Sequence, residues 1–236
     1  MDLLFPVYCF LCSRWISTTH YEAPICSLNR HALPELSNPH CYLCSKPMNE
    51  TPTKEPEDSV VCGRCRTEER VLHRTVAGFT YEEPMDSIIE HWKFDGNPQW
   101  GTWLGEQLKQ ATESYLEEGW DVVAPLPMHP RRFNERGFNQ TVQLAEIVSQ
   151  YLDSTLVSLL RKDRHTPPQS SLSREERMNN LDGAFSLDTS ETKVTNQSIL
   201  LVDDIYTTGS TLQMAGEVIK KQNPSKIGAV VLARAV

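Results

Sequence analysis

The densest chemistry in this chain is a pair of adjacent carboxylates followed closely by hydroxyls and a glycine. Ile199-Leu200-Leu201-Val202 leads into Asp203-Asp204, and Thr207-Thr208-Gly209-Ser210-Thr211 follows. A fully apolar run suits a central parallel strand. Such a strand carries what comes next to the carboxyl edge of the sheet, where α/β proteins bind ligands. The turn offers backbone N–H groups, three threonine hydroxyls and one serine hydroxyl. Gly209 permits a close backbone approach that a side chain would block, and the helix that starts there adds the positive end of its dipole. The product is a phosphate cup beside an acidic pair. A ribose 5′-phosphate fills such a cup, with its 2′ and 3′ hydroxyls bonded to the carboxylates. An apolar strand ending in two aspartates also suits a nucleoside triphosphatase, but that requires GxxxxGK[ST] elsewhere, and the chain has no Gly-Lys dipeptide. An ordinary capped helix needs far less than two acids and TTGST.

The second concentration of reactive groups is sulfur. All seven cysteines fall at or before Cys65. Cys41-x2-Cys44-x17-Cys62-x2-Cys65 has zinc-ribbon spacing, in which each CxxC pair gives two thiolates to one metal and two pairs complete a tetrahedron. Cys9-x2-Cys12-x13-Cys26 reads as a second site one ligand short. The position expected for the partner is Asn29; His31 and His20 lie near enough to substitute, and a site without metal stays open. Sequence spacing also allows the two ligand sets to interleave.

Several basic segments are placed to serve the acidic pair. Arg131, Arg132 and Arg136 lie within six residues that follow one strand and precede a helix, and they read as a loop. Such a patch clamps a diphosphate or a nucleic-acid backbone. Lys93-Phe94-Asp95-Gly96 ends a helix, where lysine and glycine can meet a diphosphate or the glycine can simply cap. The stretch 161–185 is basic and poor in periodicity and reads as a flap beside the site.

The elements that must position these groups are legible in periodicity. A strand is expected at 76–81, and Pro84 opens a helix whose buried face is Met85, Ile88, Ile89 and Trp92. Further helices are expected at 103–118, 140–152 and 211–222, and strands at 121–126, 199–202 and 226–233. The alternation implies a parallel α/β sheet. A boundary near 66–75 separates a cysteine-rich head, 1–72, from an α/β domain, 73–236. The net charge of −8 excludes a general basic coat for duplex DNA and leaves room for a local basic groove. No apolar run is long enough to cross a membrane, so no membrane insertion is expected. The early Asp2 and the lack of a basic start do not read as a signal peptide, and the cytoplasm is the expected compartment.

The segment from Val202 to Gly209 resembles the phosphoribosyltransferase signature. That likeness implies a type I phosphoribosyltransferase-like fold. It makes Asp203 and Asp204 the candidate catalytic pair on the ribose hydroxyls, and Thr207, Thr208, Gly209, Ser210 and Thr211 the holders of the 5′-phosphate. Taken with the paired CxxC head, Lys93-Phe94-x-Gly96, Pro125-Leu126-Pro127, Arg136-Gly137-Phe138-Asn139-Gln140, Thr166-x2-Gln169 and Arg177-x2-Asn180-x2-Gly183-Ala184-Phe185, the chain is similar to the ComF family over nearly its whole length. The resemblance implies natural transformation, with single-stranded DNA and a ComFA-like helicase ATPase as partners. It implies zinc in the head, on Cys41, Cys44, Cys62 and Cys65 and on Cys9, Cys12 and Cys26. A working enzyme would hold phosphoribosyl diphosphate with Mg²⁺, Lys93 and Arg136 facing the diphosphate. Phe133, Phe138 and Trp15 are candidates for base stacking. Asn29, where the family pattern has an eighth cysteine, puts the first metal site in doubt and leaves the second untouched.

Overall fold

The computed structural model describes residues 7–16, 24–36, 38–48, 60–95, 98–164, 183–188 and 194–235. Gly96, His20 and the motif residues Thr166, Gln169, Arg177 and Asn180 lie outside them.

Five parallel strands form the centre, in the order β3 (Thr75–Thr80), β9 (Lys226–Arg234), β8 (Ser198–Tyr206), β4 (Val122–Pro125), β5 (Thr155–Leu156). Alternation along β8 divides the core into two layers, as the period of two requires. Leu200 and Val202 point to a face covered by α3 (Met85–Asp95), α4 (Pro98–Leu116) and α6 (Gln140–Leu152). Ile199 and Leu201 point to the face covered by α7 (Ser210–Lys220), where Leu212, Ala215 and Ile219 are buried. Helices on both sides are what let a parallel sheet be apolar on both faces. On the first face, the expected stripe Met85, Ile88, Ile89 and Trp92 is completely buried, and the Trp92 indole donates to Gln143 Oε1 at 3.0 Å.

Most expected elements are present with ends shifted by a residue or two. Two differences bear on the site. The central strand does not stop at Val202; it runs through Asp203 and Asp204 to Tyr206, paired with β9 along its length. The segment expected as a loop at 131–136 is helical: α5 (Pro130–Arg136) starts at Pro130 with His129 Nδ1 accepting from the Arg131 amide at 3.1 Å, and ends at Gly137 in the left-handed region. The arginines are therefore spaced around a helix.

The head consists of a hairpin, β1 (Val7–Tyr8) with β2 (Trp15–Ile16), and two short helices, α1 (Ser27–Arg30) and α2 (Gly63–Thr67). It covers the outer edge of β3, which would otherwise present unpaired backbone. The Thr80 amide donates to Pro34 O at 2.9 Å and the Thr75 amide to Leu43 O at 3.0 Å. Cys9 and Cys26 pack with the α3–α4 layer, and Cys41, Cys44, Cys62 and Cys65 with the α7 layer. A last antiparallel pair, β6 (Leu160–Lys162) with β7 (Phe185–Leu187), packs Phe185 against Met214 and Val218 of α7. No helix among the described residues is long and apolar enough to cross a membrane.

Candidate sugar-phosphate site

Asp203 and Asp204 sit near the carboxyl end of β8, and the turn 207–209 carries the chain from there into α7. Each carboxylate is fixed by the next amide: Asp204 N donates to Asp203 Oδ1 at 2.9 Å and Ile205 N to Asp204 Oδ1 at 2.7 Å. Gly209, the N-cap of α7, has φ 77°, and a Cβ there would lie 2.1 Å from Tyr206 Oη. Only glycine meets both demands. The Thr208 and Ser210 hydroxyls bond each other at 2.9 Å, Ser210 is buried, and Thr207 is exposed.

Lys93, from α3, closes one side with Nζ 3.0 Å from Asp204 Oδ2. Burial by itself would raise Asp204, but the Lys93 ammonium, with the Ile205 amide and the Arg136 charge, holds it below the usual carboxylate range. Asp203 takes the opposite course: burial and the neighbouring Asp204 charge push it up to about 8. Two adjacent carboxylates of unequal acidity result, Asp204 the readier to ionise and Asp203 the readier to hold a proton. Arg136, from α5, faces Asp204 and lies over the Phe94 ring at 5.6 Å from its centroid.

Sequence reasoning thus gathered Asp203, Asp204, the 207–211 turn, Lys93 and Arg136 from segments that the fold does bring to one sheet edge. It missed Lys162. This lysine ends β6 and faces both aspartates and Arg132, with its pKa lowered by burial first and by Arg132 second. The only signal was its place in a basic stretch. Arg161 and Lys162 also line a trough of about 510 Å³ with Pro127, Phe133, Asn139 and Leu160. Phe133 and Trp15 are exposed, whereas Phe138 packs against the core.

In the head, the donor atoms of Cys41, Cys44, Cys62 and Cys65 lie within 4.8 Å of one another, as do those of Cys9, Cys12 and Cys26. A tetrahedral zinc with bonds of about 2.3 Å requires S···S edges of roughly 3.8 Å, and Cys44···Cys62 and Cys12···Cys26 are both at 3.8 Å. The ligand sets do not interleave. The second set is buried and receives N–H donors suited to thiolates: Cys62 N to Cys41 Sγ and Arg70 Nη1 to Cys65 Sγ, each 3.3 Å. Beside the first set stands Asn29, whose Nδ2 donates to Cys9 Sγ at 3.1 Å. His31 caps α1, exposed, and is not in the group. The residues present therefore fit one closed four-thiolate site and one three-thiolate site.

Comparison with known proteins places these features in two families. Residues 139–235 match the phosphoribosyl transferase domain and residues 1–68 the double zinc ribbon domain. The chain is 31% identical to Competence protein F of Haemophilus influenzae, over 74% of this chain and 78% of that one. It is 26% identical to Competence protein ComFC of Bacillus subtilis, over 90% and 85% of the two chains. It is 27% identical to DNA utilization protein YhgH of Escherichia coli K12, over 98% and 99%.

Proposed function

Because the chain belongs to the ComF family of competence proteins, we propose that it serves DNA uptake and utilisation, handling incoming single-stranded DNA in the cytoplasm while binding a phosphoribosyl-diphosphate-type ligand. The observation that carries the ligand half is the Asp204–Lys93 ion pair at 3.0 Å, set just before the turn through Gly209 that starts α7. Asp203 and Asp204 hold the ribose hydroxyls, and Thr207, Thr208, Gly209, Ser210 and Thr211 hold the 5′-phosphate. Lys93, Arg136 and Lys162 face the diphosphate, with Mg²⁺ neutralising part of its charge. Zinc on Cys41, Cys44, Cys62 and Cys65, and a second on Cys9, Cys12 and Cys26, hold the head together.

Support for the nucleic-acid half is local charge against an acidic total of −8. Arg161 and Lys162 line the trough together with Asp163, the exposed Phe133 is on its wall, and Arg131 and Arg132 belong to α5, the helix that supplies Phe133. Cations that follow a backbone and an aromatic for stacking are the two requirements of a single-strand site. A ComFA-like helicase ATPase is the partner that would deliver such a strand.

A second reading is favoured by the cations opposite the acidic pair, which are more than sugar binding alone needs. In it the protein is a working phosphoribosyltransferase. A nitrogen of the acceptor forms a bond to C1 of the ribose as the C1–O bond to diphosphate breaks, and the diphosphate departs with the bonding electrons, met by Lys93, Arg136 and Lys162.

Calorimetry with phosphoribosyl diphosphate and Mg²⁺ tests the site. Wild type should bind and Asp204→Asn should not; silence from both removes the ligand half and the enzyme reading with it. Filter binding of single-stranded oligonucleotides across a salt series tests the other half. A steep fall in affinity with salt is expected, and a weak signal unaffected by low salt counts against it.

A further inference from the structure

The four-thiolate knuckle and the phosphate turn come from opposite ends of the chain, yet two arginines connect them through one tyrosine. Arg234, at the end of β9, is buried at 5% exposure. Its Nε donates to Cys44 O at 3.3 Å, and its Nη1 donates to Tyr206 O at 3.0 Å and Thr207 O at 2.7 Å. The guanidinium also lies over the Tyr206 ring, 4.6 Å from its centroid. Arg70, just after the knuckle, donates to Cys65 Sγ at 3.3 Å and to Leu43 O at 2.9 Å, and its charge faces the Tyr206 hydroxyl. Tyr206 in turn stands where the Cβ of any residue but glycine at 209 would be. Both halves of the knuckle, the Cys44 half and the Cys65 half, therefore meet the residue that leads into the phosphate turn, one through hydrogen bonds of Arg234 to its backbone and the other through the Arg70 charge facing its hydroxyl.

These bonds have a directional consequence. The carbonyls of Tyr206 and Thr207 are fixed by Arg234, so the peptide planes that follow are fixed, and with them the direction of the turn's N–H groups. Metal in the knuckle fixes the Cys44 carbonyl and the Cys65 sulfur against which the two arginines are braced. We propose that Arg234 and Arg70 are positioning residues that link the zinc knuckle to the anion site, so that metal on Cys41, Cys44, Cys62 and Cys65 and a sugar phosphate on the 207–211 turn strengthen each other's binding. Linkage of this kind is reciprocal, and typical coupling is about 5- to 150-fold. The inference rests on the sugar-phosphate reading given above and adds that the head shapes the site.

The test uses the full chain, zinc-loaded. Zinc release to a chromophoric chelator is followed with and without phosphoribosyl diphosphate and Mg²⁺, after ligand binding has been measured by calorimetry. One zinc per chain should leave about tenfold more slowly in the presence of ligand, while the zinc of the Cys9, Cys12 and Cys26 site, which these arginines do not touch, keeps its rate. Arg234→Lys places a point charge where a planar fork spans carbonyls on two segments. It should keep its zinc, bind the ligand about tenfold more weakly and lose the ligand's effect on zinc release. Tyr206→Phe removes the hydroxyl that Arg70 faces, keeps the backbone carbonyls bonded to Arg234, and should lose part of the effect. Should Arg234→Lys fail to fold, wild type and Tyr206→Phe decide. Wild type that binds the ligand with unchanged zinc release overturns the proposal and leaves the sugar-phosphate reading intact. Wild type that binds no phosphoribosyl diphosphate removes that reading and this proposal together.

Discussion

The Nζ atom of Lys93 lies 3.0 Å from Oδ2 of Asp204, with 16% and 20% of the two side chains exposed. A carboxylate this far from water needs a partner. Lys93→Met takes the partner away and leaves Asp204 beside Asp203 with less counter-charge, so stability at neutral pH should fall by about 1–3 kcal/mol. Asp204 is held below its ordinary pKa, so the stabilisation is present above the unfolded value of 3.8 and disappears as pH falls through the folded one. Urea unfolding of wild type and Lys93→Met should therefore differ at pH 7 and converge in acid. Equal loss at both pH values would mean that Lys93 acts by packing alone.

Asp203 shifts the other way. Burial first, then the Asp204 charge, raises it from 3.8 to about 8. The folded protein thus binds this proton more tightly than the unfolded chain, and Asp203 subtracts stability as pH rises from about 4 to about 8. Asp203→Asn, which cannot ionise, should be more stable than wild type at pH 8 by at least about 1 kcal/mol. Ribose hydroxyls and Mg²⁺ both favour the carboxylate, so ligand binding by wild type should release a proton near pH 7 and tighten toward pH 9. Calorimetry in buffers of different ionisation enthalpy reads that proton directly, and Asp203→Asn should bind weakly without releasing it.

Much of this site was written in local pattern. The apolar run before Asp203 announces a central strand because four residues are too few for a buried helix and suit a strand covered on both faces, and the i, i+3, i+4, i+7 spacing of Met85, Ile88, Ile89 and Trp92 announces one face of a helix. What stayed hidden depends on contacts between distant segments. Arg234 reads as the last residue of a strand and nothing more, and its partners Cys44 and Tyr206 are 190 and 28 residues away. Lys162 looks like one of several surface cations until β6 pairs with β7 and its ammonium faces the aspartates. The helical form of 130–136 was hidden for a different reason: its start is a cap from His129 and its end a left-handed glycine, and together they make a helix too short to show a period.

The first cysteine site offers a test of what one missing thiolate costs. Asn29, with its amide nitrogen 3.1 Å from Cys9 Sγ, is the residue at which a fourth thiolate is tested. Structural zinc on four ligands contributes about 10–16 kcal/mol, so a regained thiolate should tighten this site by an order of magnitude or more. Two zinc ions per chain are expected in wild type, one leaving to a chelator much faster than the other. In Asn29→Cys the fast ion should become slow while the ion on Cys41, Cys44, Cys62 and Cys65 is unchanged. A single zinc in both proteins would mean that the first cluster is a packed group of thiols and that Asn29 completes a structural network.

Gly209 concentrates two constraints at one atom, which makes it the sharpest test of the turn. Its φ of 77° is costly for any residue with a side chain, and an added Cβ would meet Tyr206 Oη at 2.1 Å. The strain alone costs about 1–2 kcal/mol. The collision is relieved only if the tyrosine ring moves, and that buried ring lies under the Arg234 guanidinium. Gly209→Ala should lower thermal stability measurably while retaining zinc. It should also lose phosphoribosyl diphosphate binding by about a hundredfold or more, because an N–H displaced by an ångström no longer meets an anion within the range of a hydrogen bond. Ala at Gly119, where the added atom meets nothing within 4 Å although φ is 81°, supplies the control. It carries the backbone strain without the collision, so a Gly119→Ala protein that is destabilised to the same degree yet binds ligand normally would separate the shape of the turn from the stability of the fold.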